Sequence, residues 1–248
     1  MILIKNQSDI ARMREANRIL AHLFNHIKPL IMPGITTLEL DQEAELFILS
    51  RGAKPAFKGY RGFPSTLCTS VNEEVVHGMP SSRKLITGDI VSIDVGALYD
   101  GFYSDAARTY PVGPVSREAT DLLEATERAL RAGVAQAVPG NRLSDISCAV
   151  QKVVESAGFS VVRDFVGHGI GRSLHEDPQI PNFGKRGTGP VLHEGMTFAI
   201  EPMVNKGSWK VLVKEDGWTA VSADGSLSAH FEDSIAVTKD GPLVLSEP

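Results

Sequence analysis

An internal repeat constrains the fold of this chain more than any other feature of its sequence. A proline-glycine turn at Pro33 precedes Gly52, and a second such turn at Pro139 precedes Gly158 by the same distance. The offset between the two copies is about 106 residues, which predicts an internal duplication. We therefore expect a single domain over residues 1–248, with halves of about 1–112 and 113–248 related by a pseudo-twofold axis.

Each half begins with a pair of predicted helices. In the first half, hydrophobic periodicity predicts an amphipathic helix over residues 8–28 with Ser8 as its N-cap, and a second helix over 37–51 that Gly52 ends. In the second half, the same signals predict helices over 116–137 and 144–157. The repeat thus extends from turns to whole elements.

A β-hairpin is predicted between residues 90 and 110. Its turn signal, Asp100-Gly101, lies between an apolar strand and an aromatic, β-branched return strand. Paired residue numbers could sum to 201 or to 199, and either register puts Asp94 and Asp105 on one face. A bulge at Gly101 would weaken this inference. Two carboxylates held together in an apolar hairpin need a proton or a cation between them. The alternative interpretation is that both aspartates are solvated near the turn.

The composition excludes several classes of protein. With 248 residues, of which 42% are hydrophobic, the chain can bury a large core. The net charge is -5 and the sequence has no long run of charges of one sign, so nothing indicates nucleic-acid binding. The N-terminal apolar run is too short for a signal peptide, and no stretch approaches the roughly 18 apolar residues of a membrane span, so we expect a soluble, cytoplasmic protein. Cys68 and Cys148 lie far apart in the sequence, which predicts neither a disulfide framework nor a thiolate zinc site.

The repeat also relates polar residues that could act together. The segment GDIVSID, which ends at Asp94, has a counterpart in GMTFAIE, which ends at Glu201. Likewise His77, at the start of HGMP, has a counterpart in His175, at the start of HEDP. A pseudo-twofold axis would bring the members of each pair together from opposite sides.

The second half adds His168, within GHGIG, and Glu232, within SAHFEDSIAV. The candidate metal ligands are then Asp94, Asp105, His168, Glu201 and Glu232. Four negative charges are too many for one divalent ion, whereas two divalent ions balance them and carboxylates can bridge such a pair. Oxygen-rich ligation with one nitrogen favours Mn, Fe or Co and tolerates Zn. The predicted cofactor is therefore a pair of divalent metal ions.

Five motifs, in this order and spacing, resemble those of the type I methionine aminopeptidases: NEEVVHGMP, IVSIDVGALYDGFYSDAARTY, FVGHGIGRSLHEDP, GMTFAIEPMV and SLSAHFEDSIAVT. The resemblance covers nearly the whole chain and implies an α+β, pita-bread fold, in which two α/β halves with an antiparallel sheet enclose a dinuclear metal site. It implies the same five metal ligands and catalytic roles for His77 and His175. The segment between His168 and Glu201 is too short to contain the helical insertion of type II relatives.

The implied function is removal of the initiator methionine from nascent proteins, preferentially when the second residue is small. We expect Glu201, near the bridging water, to accept a proton and pass it to the leaving amine. The resemblance implies that His175 stabilises the oxyanion and that His77 bonds the scissile amide nitrogen. The expected partners are nascent polypeptide N-termini, and a transient association with the ribosome is left open. We expect a monomer that binds neither nucleic acid nor membranes.

A pocket for the methionine side chain is implied by position alone. The resemblance assigns it to Phe57, Tyr60, Phe63, Cys68, Leu174 and Trp218. Three of these depart from the family's pattern, because Phe57 replaces a commoner cysteine, Phe63 a tyrosine and Leu174 an aromatic residue. The aromatic residues between 57 and 63 could instead be plain core.

Other histidines allow simpler interpretations. His22 and His26 lie four residues apart on the first predicted helix, but no acidic partner lies between them to complete a metal site. His193 lies in the turn LHEG and is expected to be solvated or to cap the turn. His230 precedes Glu232 by two residues, so it could share the face of Glu232 and act behind the ligands, or only pack there.

Two other classes of function stay open. A proline dipeptidase, or an aminopeptidase cleaving before proline, would have the same fold but a large N-terminal domain, whereas here about one helix precedes the catalytic region. A non-catalytic binding relative would have lost metal ligands, and all five candidates are present.

Overall fold

The computed structural model describes residues 2–247, which form four α-helices and fifteen β-strands. The helices are α1 (Gln7–Ile27), α2 (Thr37–Ser50), α3 (Arg117–Val134) and α4 (Leu143–Ser156), with short 3-10 helices at Lys28–Leu30 and Tyr60–Gly62. The strands are β1 (Lys54–Pro55), β2 (Leu67–Val71), β3 (Glu74–Val76), β4 (Ile90–Tyr99), β5 (Phe102–Pro111), β6 (Ser160–Val161), β7 (Gly167–Gly169), β8 (Glu176–Ile180), β9 (Thr197–Ile200), β10 (Met203–Asn205), β11 (Val211–Val213), β12 (Ala220–Ser222), β13 (Ser228–His230), β14 (Glu232–Thr238) and β15 (Gly241–Val244).

Nine strands form one large antiparallel sheet. Its order is β1-β4-β5-β14-β9-β7-β8, with β2 also paired to β4 and β15 to β14. Two smaller sheets have the orders β13-β10-β6 and β11-β12-β3. Helix α1 packs on β4 and β5, whereas α3 and α4 pack on each other and on strands of the second half. Helices packed on antiparallel sheets are the α+β arrangement that the sequence predicts.

The central hairpin has one of the two predicted registers. Tyr99 pairs with Phe102, so the turn consists of two residues, Asp100 and Gly101. Their φ angles are 48° and 76°, the positive values that a type I′ turn requires at both positions. Paired residue numbers therefore sum to 201, and no bulge interrupts the ten pairs between β4 and β5.

Helix α1 begins earlier than predicted because Asn6, and not Ser8, is its N-cap. The Asn6 side chain accepts a hydrogen bond from the Asp9 N–H at 2.9 Å, and the Asp9 carboxylate accepts one from the Asn6 N–H at 3.4 Å. This capping box satisfies two backbone N–H groups at once, whereas Ser8 alone would satisfy one.

The helices of the second half also differ from prediction at their ends. Helix α3 begins after Ser116 as predicted but stops at Val134, because residues 136 and 137 bond three residues back in a tighter turn. Helix α4 begins at Leu143 instead of residue 144, since the Asp145 carboxylate accepts a hydrogen bond from the Arg142 N–H at 2.8 Å.

Each pair of helices covers its own apolar core. The cluster under α1 and α2 includes Leu20, Leu40 and Val91. A separate cluster under α3 and α4 includes Ile146 and Phe198. The division into halves of about 1–112 and 113–248 stays a prediction. Within residues 2–247, no helix combines the length and apolar character needed to cross a membrane.

Candidate metal centre

Five neighbouring strands of the large sheet supply the candidate metal ligands. In the sheet order β4-β5-β14-β9-β7, each strand contributes one residue, either within it or, for β9, directly after it. In that order the residues are Asp94, Asp105, Glu232, Glu201 and His168. The structure therefore brings together residues that are far apart in the sequence.

The strand registers turn these side chains to one face of the sheet. Ala107 in β5 pairs with a candidate ligand on each side, Asp94 and Glu232. Ala199 in β9 pairs with His168 in β7. Side chains alternate along a strand, and each of the two remaining candidates lies two residues from one of these alanines. All five side chains consequently face the same side, as predicted for the two aspartates of the hairpin.

The ring of His168 is oriented as a metal ligand requires. Its Nδ1 lies 2.9 Å from the carbonyl oxygen of Gly169, which only a protonated Nδ1 can bond, so the lone pair is on Nε2. This Nε2 lies 3.7 Å from Asp105 Oδ2 and 3.5 Å from Glu201 Oε1. Burial lowers the pKa of His168, which favours the neutral ring that binds metals.

Three of the four carboxylates have a buried oxygen available for a cation. Among the described residues, Asp94 Oδ1, Asp105 Oδ1 and Glu232 Oε1 are buried without a hydrogen-bond partner. Burial and neighbouring carboxylates raise the pKa of Asp105, Glu201 and Glu232, and burial raises the pKa of Asp94 to about 7. Acidic groups this close together are stable only when protonated or when cations lie among them. The residues present therefore fit a centre of divalent metal ions.

His230 faces the same carboxylates from β13. Its Nε2 lies 3.7 Å from Glu201 Oε2 and 4.0 Å from Glu232 Oε2, and it has no hydrogen-bond partner in the described part of the chain. Burial lowers the pKa of His230 to about 3, so the ring is neutral. The structure places it beside the ligands, and its role behind them stays a prediction.

A cavity of about 160 Å³ opens onto this face of the sheet. Its lining includes the five candidate ligands, His77 and His175, together with Arg61. The remaining lining residues are those predicted for the methionine pocket: Phe57, Tyr60, Phe63, Cys68, Leu174 and Trp218. The same six belong to one apolar cluster. Every predicted site residue thus reaches a single cavity.

The ring of His175 lies against the rings of His168 and Tyr60. Its centroid lies 4.2 Å from that of His168 and 5.3 Å from that of Tyr60. Its Nδ1 lies 2.9 Å from the Tyr60 hydroxyl oxygen. Burial, followed by the nearby His168 and Arg61, lowers the pKa of His175 to about 3. A neutral ring in a fixed orientation therefore faces the cavity.

His77 also lines the cavity and occupies an unusual backbone conformation. It directly follows β3 with a positive φ of 59°. Its ring meets Phe165 edge-on, with centroids 5.3 Å apart. Burial lowers the pKa of His77, which also favours a neutral ring.

Several residues that support the site have no motif in the sequence. The side-chain amide of Asn182 donates a hydrogen bond to the Glu201 carbonyl at 2.9 Å. The guanidinium of Arg108 donates to the Glu232 carbonyl and pairs with Asp233 at 2.6 Å. These contacts hold the backbone behind two candidate ligands.

Asn182, Arg108 and Arg61 were not predicted from the sequence as site residues. Asn182 and Arg108 bond backbone carbonyls, which leave no trace in the pattern of side chains. Arg61 was detectable in principle, because it is one of two cations, with Lys58, within the aromatic stretch that was assigned to the pocket.

The other histidines lie outside the cavity. His26 faces Glu43 across α1 and α2, with 3.4 Å between Nε2 and Oε2. His22 and His193 are exposed, as expected for residues without a ligand role. Cys148 is a free thiol, as is Cys68 in the pocket, so the predicted absence of a disulfide between them is confirmed.

With this site on an antiparallel sheet, the chain belongs to metallopeptidase family M24, whose family model matches residues 11–239. It is 55% identical over 246 residues to a methionine aminopeptidase from Clostridium perfringens, with 99% of each chain covered. The crystal structure of a methionine aminopeptidase from Thermotoga maritima superposes with a TM-score of 0.98 at 49% identity, with 100% of each chain covered. A prolidase from Pyrococcus furiosus gives a TM-score of 0.79 at 25% identity, and this chain covers 65% of it.

Within that family the chain is a metal-dependent aminopeptidase of the methionine aminopeptidase type. Relatives with this name match it over their full length, which confirms the resemblance to type I enzymes and the pita-bread fold. The prolidase has the same fold within a longer chain and lower identity. These similarities therefore support a methionine aminopeptidase more strongly than a proline-specific peptidase.

Proposed function

We propose that this chain removes the initiator methionine from nascent polypeptides, preferentially when the second residue is small, and that it uses two divalent metal ions. The observation that carries the proposal is one cavity that joins an acidic donor face to an apolar pocket. Nascent polypeptides leaving the ribosome are the proposed partners, which puts the reaction in the cytoplasm. One chain supplies every residue that lines the cavity, so a monomer suffices.

The proposed ligands of the two ions are Asp94, Asp105, His168, Glu201 and Glu232. Four ionised carboxylates balance the charge of two divalent ions, and oxygen donors with one imidazole suit Mn, Fe or Co and tolerate Zn. When bound by these residues, such ions would lower the pKa of a water molecule and so make a hydroxide nucleophile available near neutral pH.

Glu201 is the proposed proton acceptor. Its two carboxylate oxygens lie 3.5 Å from His168 Nε2 and 3.7 Å from His230 Nε2, at the wall of the cavity. Burial and the Glu232 carboxylate raise the pKa of Glu201 in the metal-free protein, and bound cations would oppose this shift and keep the carboxylate ionised. Glu201 would take a proton from the attacking water and deliver it to the leaving amine.

The two cavity histidines would act on the scissile peptide bond. If the Tyr60 hydroxyl donates to His175 Nδ1, the ring hydrogen is on Nε2, where it can be donated to the developing oxyanion. His77, which lines the same cavity, would bond the scissile amide nitrogen. Both roles use neutral rings, which the lowered pKa of each histidine favours.

Selection of methionine would come from the apolar part of the cavity. Phe57 and Leu174 belong to this apolar lining, and Phe63 packs edge-on against Trp218 with centroids 5.2 Å apart. The acidic residues that line the same cavity would attract a free α-ammonium group, which confines cleavage to the N-terminus.

A peptide panel tests the function. With Mn or Co added, the purified protein is expected to release methionine from Met-Ala-Ser and to leave Met-Leu-Ser and Ala-Pro substrates intact, and EDTA is expected to stop the release. Cleavage of Ala-Pro substrates would instead indicate a proline-specific peptidase. No hydrolysis with any divalent metal would indicate a non-catalytic binding protein.

The proposed role of Tyr60 predicts a separate effect on turnover. Tyr60→Phe keeps the ring in the pocket but removes the hydroxyl that faces His175, so the tautomer and orientation of that histidine are no longer fixed. We expect kcat for Met-Ala-Ser to fall about tenfold or more, within the usual range for positioned hydrogen-bonding groups, with little change in KM. An unchanged kcat would contradict the proposed orientation of His175.

A further inference from the structure

We infer that Lys5 is a positioning residue for His175. Its buried ion pair with Glu176 holds the loop between β7 and β8 (the His175 loop, residues 170–175), which carries His175 into the cavity. The inference rests on the proposed function of that histidine. Lys5 does not line the cavity, and it acts through the residue that follows His175 in the chain.

The ion pair lies in an unusual place for charged side chains. Lys5 Nζ bonds Glu176 Oε2, and both side chains are only 6% exposed. The chain separates these residues by 171 positions, so the pair joins the N-terminal segment to the second half. A buried ion pair is strongly destabilised when one partner is removed, because the other charge is left uncompensated. The contact is therefore a strong constraint on the positions of both segments.

Glu176 also bonds the backbone of the loop, so the ion pair with Lys5 helps to fix the position of the loop. Its second carboxylate oxygen, Oε1, accepts hydrogen bonds from the N–H groups of Arg172 at 2.8 Å and Ser173 at 3.2 Å. One carboxylate thus links Lys5 to the turn that leads into Leu174 and His175. Both of these residues line the cavity.

Two glycines lie so close to Lys5 that a side chain at either position would collide with it. A Cβ at Gly171 would lie 2.4 Å from Lys5 Cε, and a Cβ at Gly195 would lie 2.5 Å from the Lys5 carbonyl oxygen. The Lys5 N–H also donates to the Gly195 carbonyl at 2.8 Å. The N-terminal segment is therefore inserted between the His175 loop and the turn before β9, the strand that Glu201 follows.

The other ion pair between this loop and the N-terminal region is weaker. Arg172 pairs with Asp9 at 3.1 Å, but the Arg172 side chain is 60% exposed, and exposed pairs contribute little to stability. If the Lys5 contact is lost, we expect the loop to shift by enough to misalign the His175 ring.

The test compares Lys5→Met, Glu176→Gln and the double variant with a matched control. Arg12→Ala is the control, because Arg12 also ties α1 to the sheet by an ion pair, with Asp100, but does not touch the His175 loop. We expect Lys5→Met to lower kcat for Met-Ala-Ser about ten- to a hundredfold, the usual cost of a small misplacement of a reacting group. The Mn²⁺ affinity measured by calorimetry should stay within about twofold of the wild type, because none of the five proposed ligands lies in this loop. KM should rise by less than kcat falls, because Leu174 is the one proposed pocket residue that the loop carries. Arg12→Ala should keep the wild-type kcat.

The double variant separates positioning from mere stability. It leaves no uncompensated buried charge, so it keeps the test valid if Lys5→Met fails to fold. Since Lys5 acts through Glu176, the double variant should lose no more kcat than either single variant. Additive losses, a kcat within twofold of the wild type in folded Lys5→Met or double variant, or an equal loss in Arg12→Ala would each overturn the inference.

A readout without catalysis distinguishes this inference from the proposed function. In protein labelled with ¹⁵N-histidine, the ring resonances of His175 should shift in Lys5→Met and in the double variant but not in Arg12→Ala. If the wild type hydrolyses no peptide, the proposed function fails, yet the resonances still test the positioning. Unshifted His175 resonances in the Lys5 variants would overturn it.

Discussion

Replacing Asp105 by asparagine is expected to lower kcat/KM for Met-Ala-Ser about a thousandfold or more, with the fold retained. Asp105 has an unpartnered buried oxygen and lies between Asp94 and the other candidate ligands on the sheet, so its charge is central to holding both ions. Metal ions contribute several kcal/mol to such reactions, and about 1.4 kcal/mol corresponds to a factor of ten in rate. The side chain keeps its shape in this substitution, which is why the fold should survive.

Thermal unfolding separates the loss of metal from the loss of structure. Burial and the Asp94 carboxylate raise the pKa of Asp105 above its unfolded value, so its ionised form destabilises the metal-free fold at neutral pH. In EDTA, Asp105→Asn should therefore unfold at the wild-type Tm or above it. Metal at a hundred times its Kd should stabilise the wild type by about 2.7 kcal/mol, roughly 5–10 °C in Tm for a chain of this size, and the variant much less.

His26→Ala is the matched control for this experiment. His26 pairs with Glu43 and stacks on Phe47 at the surface, away from the cavity, so its loss should leave activity and the metal-induced rise in Tm nearly unchanged. Full activity in Asp105→Asn, or a wild-type Tm that no divalent metal raises, would contradict the proposed centre.

Local rules were sufficient for the first part of the site. A turn of two residues with positive φ fixes the register of β4 and β5, and alternation along those strands then puts Asp94 and Asp105 on one face. Both rules act within a single hairpin. For this reason the hairpin could be predicted without knowledge of the rest of the fold.

Long-range pairing required a different kind of signal. The contact between β14 and β5 joins Glu232 to Ala107, and no local rule predicts a pairing over such a separation. The internal repeat suggested that Glu201 approaches Asp94. His168 and Glu232 were added from the polar motifs GHGIG and SAHFEDSIAV, and the order of the family motifs then gave the same five residues. Motif order therefore substituted for tertiary information that periodicity does not contain.

Contacts outside motifs were beyond sequence reasoning. The pairing of Lys5 with Glu176 depends on how the N-terminal segment enters the sheet, and each residue alone resembles an ordinary surface charge. The cap of α1 was misassigned for a related reason, since Asn6 and Ser8 are both good N-caps and only the reciprocal bond of Asp9 decides between them. Which residue caps a helix, or which charges pair, depends on competing contacts of similar strength.

Replacing His77 by alanine is expected to lower kcat roughly a hundredfold or more while metal stays bound, the usual range for a positioned acid-base group. His77 lies outside the donor face on β4, β5, β14, β9 and β7, so Mn²⁺ affinity measured by calorimetry should be unchanged. Burial lowers its pKa, and the neutral ring that results is the form able to bond the scissile amide nitrogen. Its loss should therefore affect kcat more than KM.

The backbone at His77 calls for a second variant, because its φ of 59° is unfavourable for most residues and alanine could relax the loop. Asparagine tolerates positive φ better, so His77→Asn keeps the loop in place and removes only the imidazole. If the ring is what matters, both variants lose kcat to a similar extent, and His22→Ala, which changes an exposed histidine, does not. If His77→Asn keeps wild-type turnover and only His77→Ala loses it, the loop conformation is responsible, and the proposed bond from His77 to the substrate is wrong.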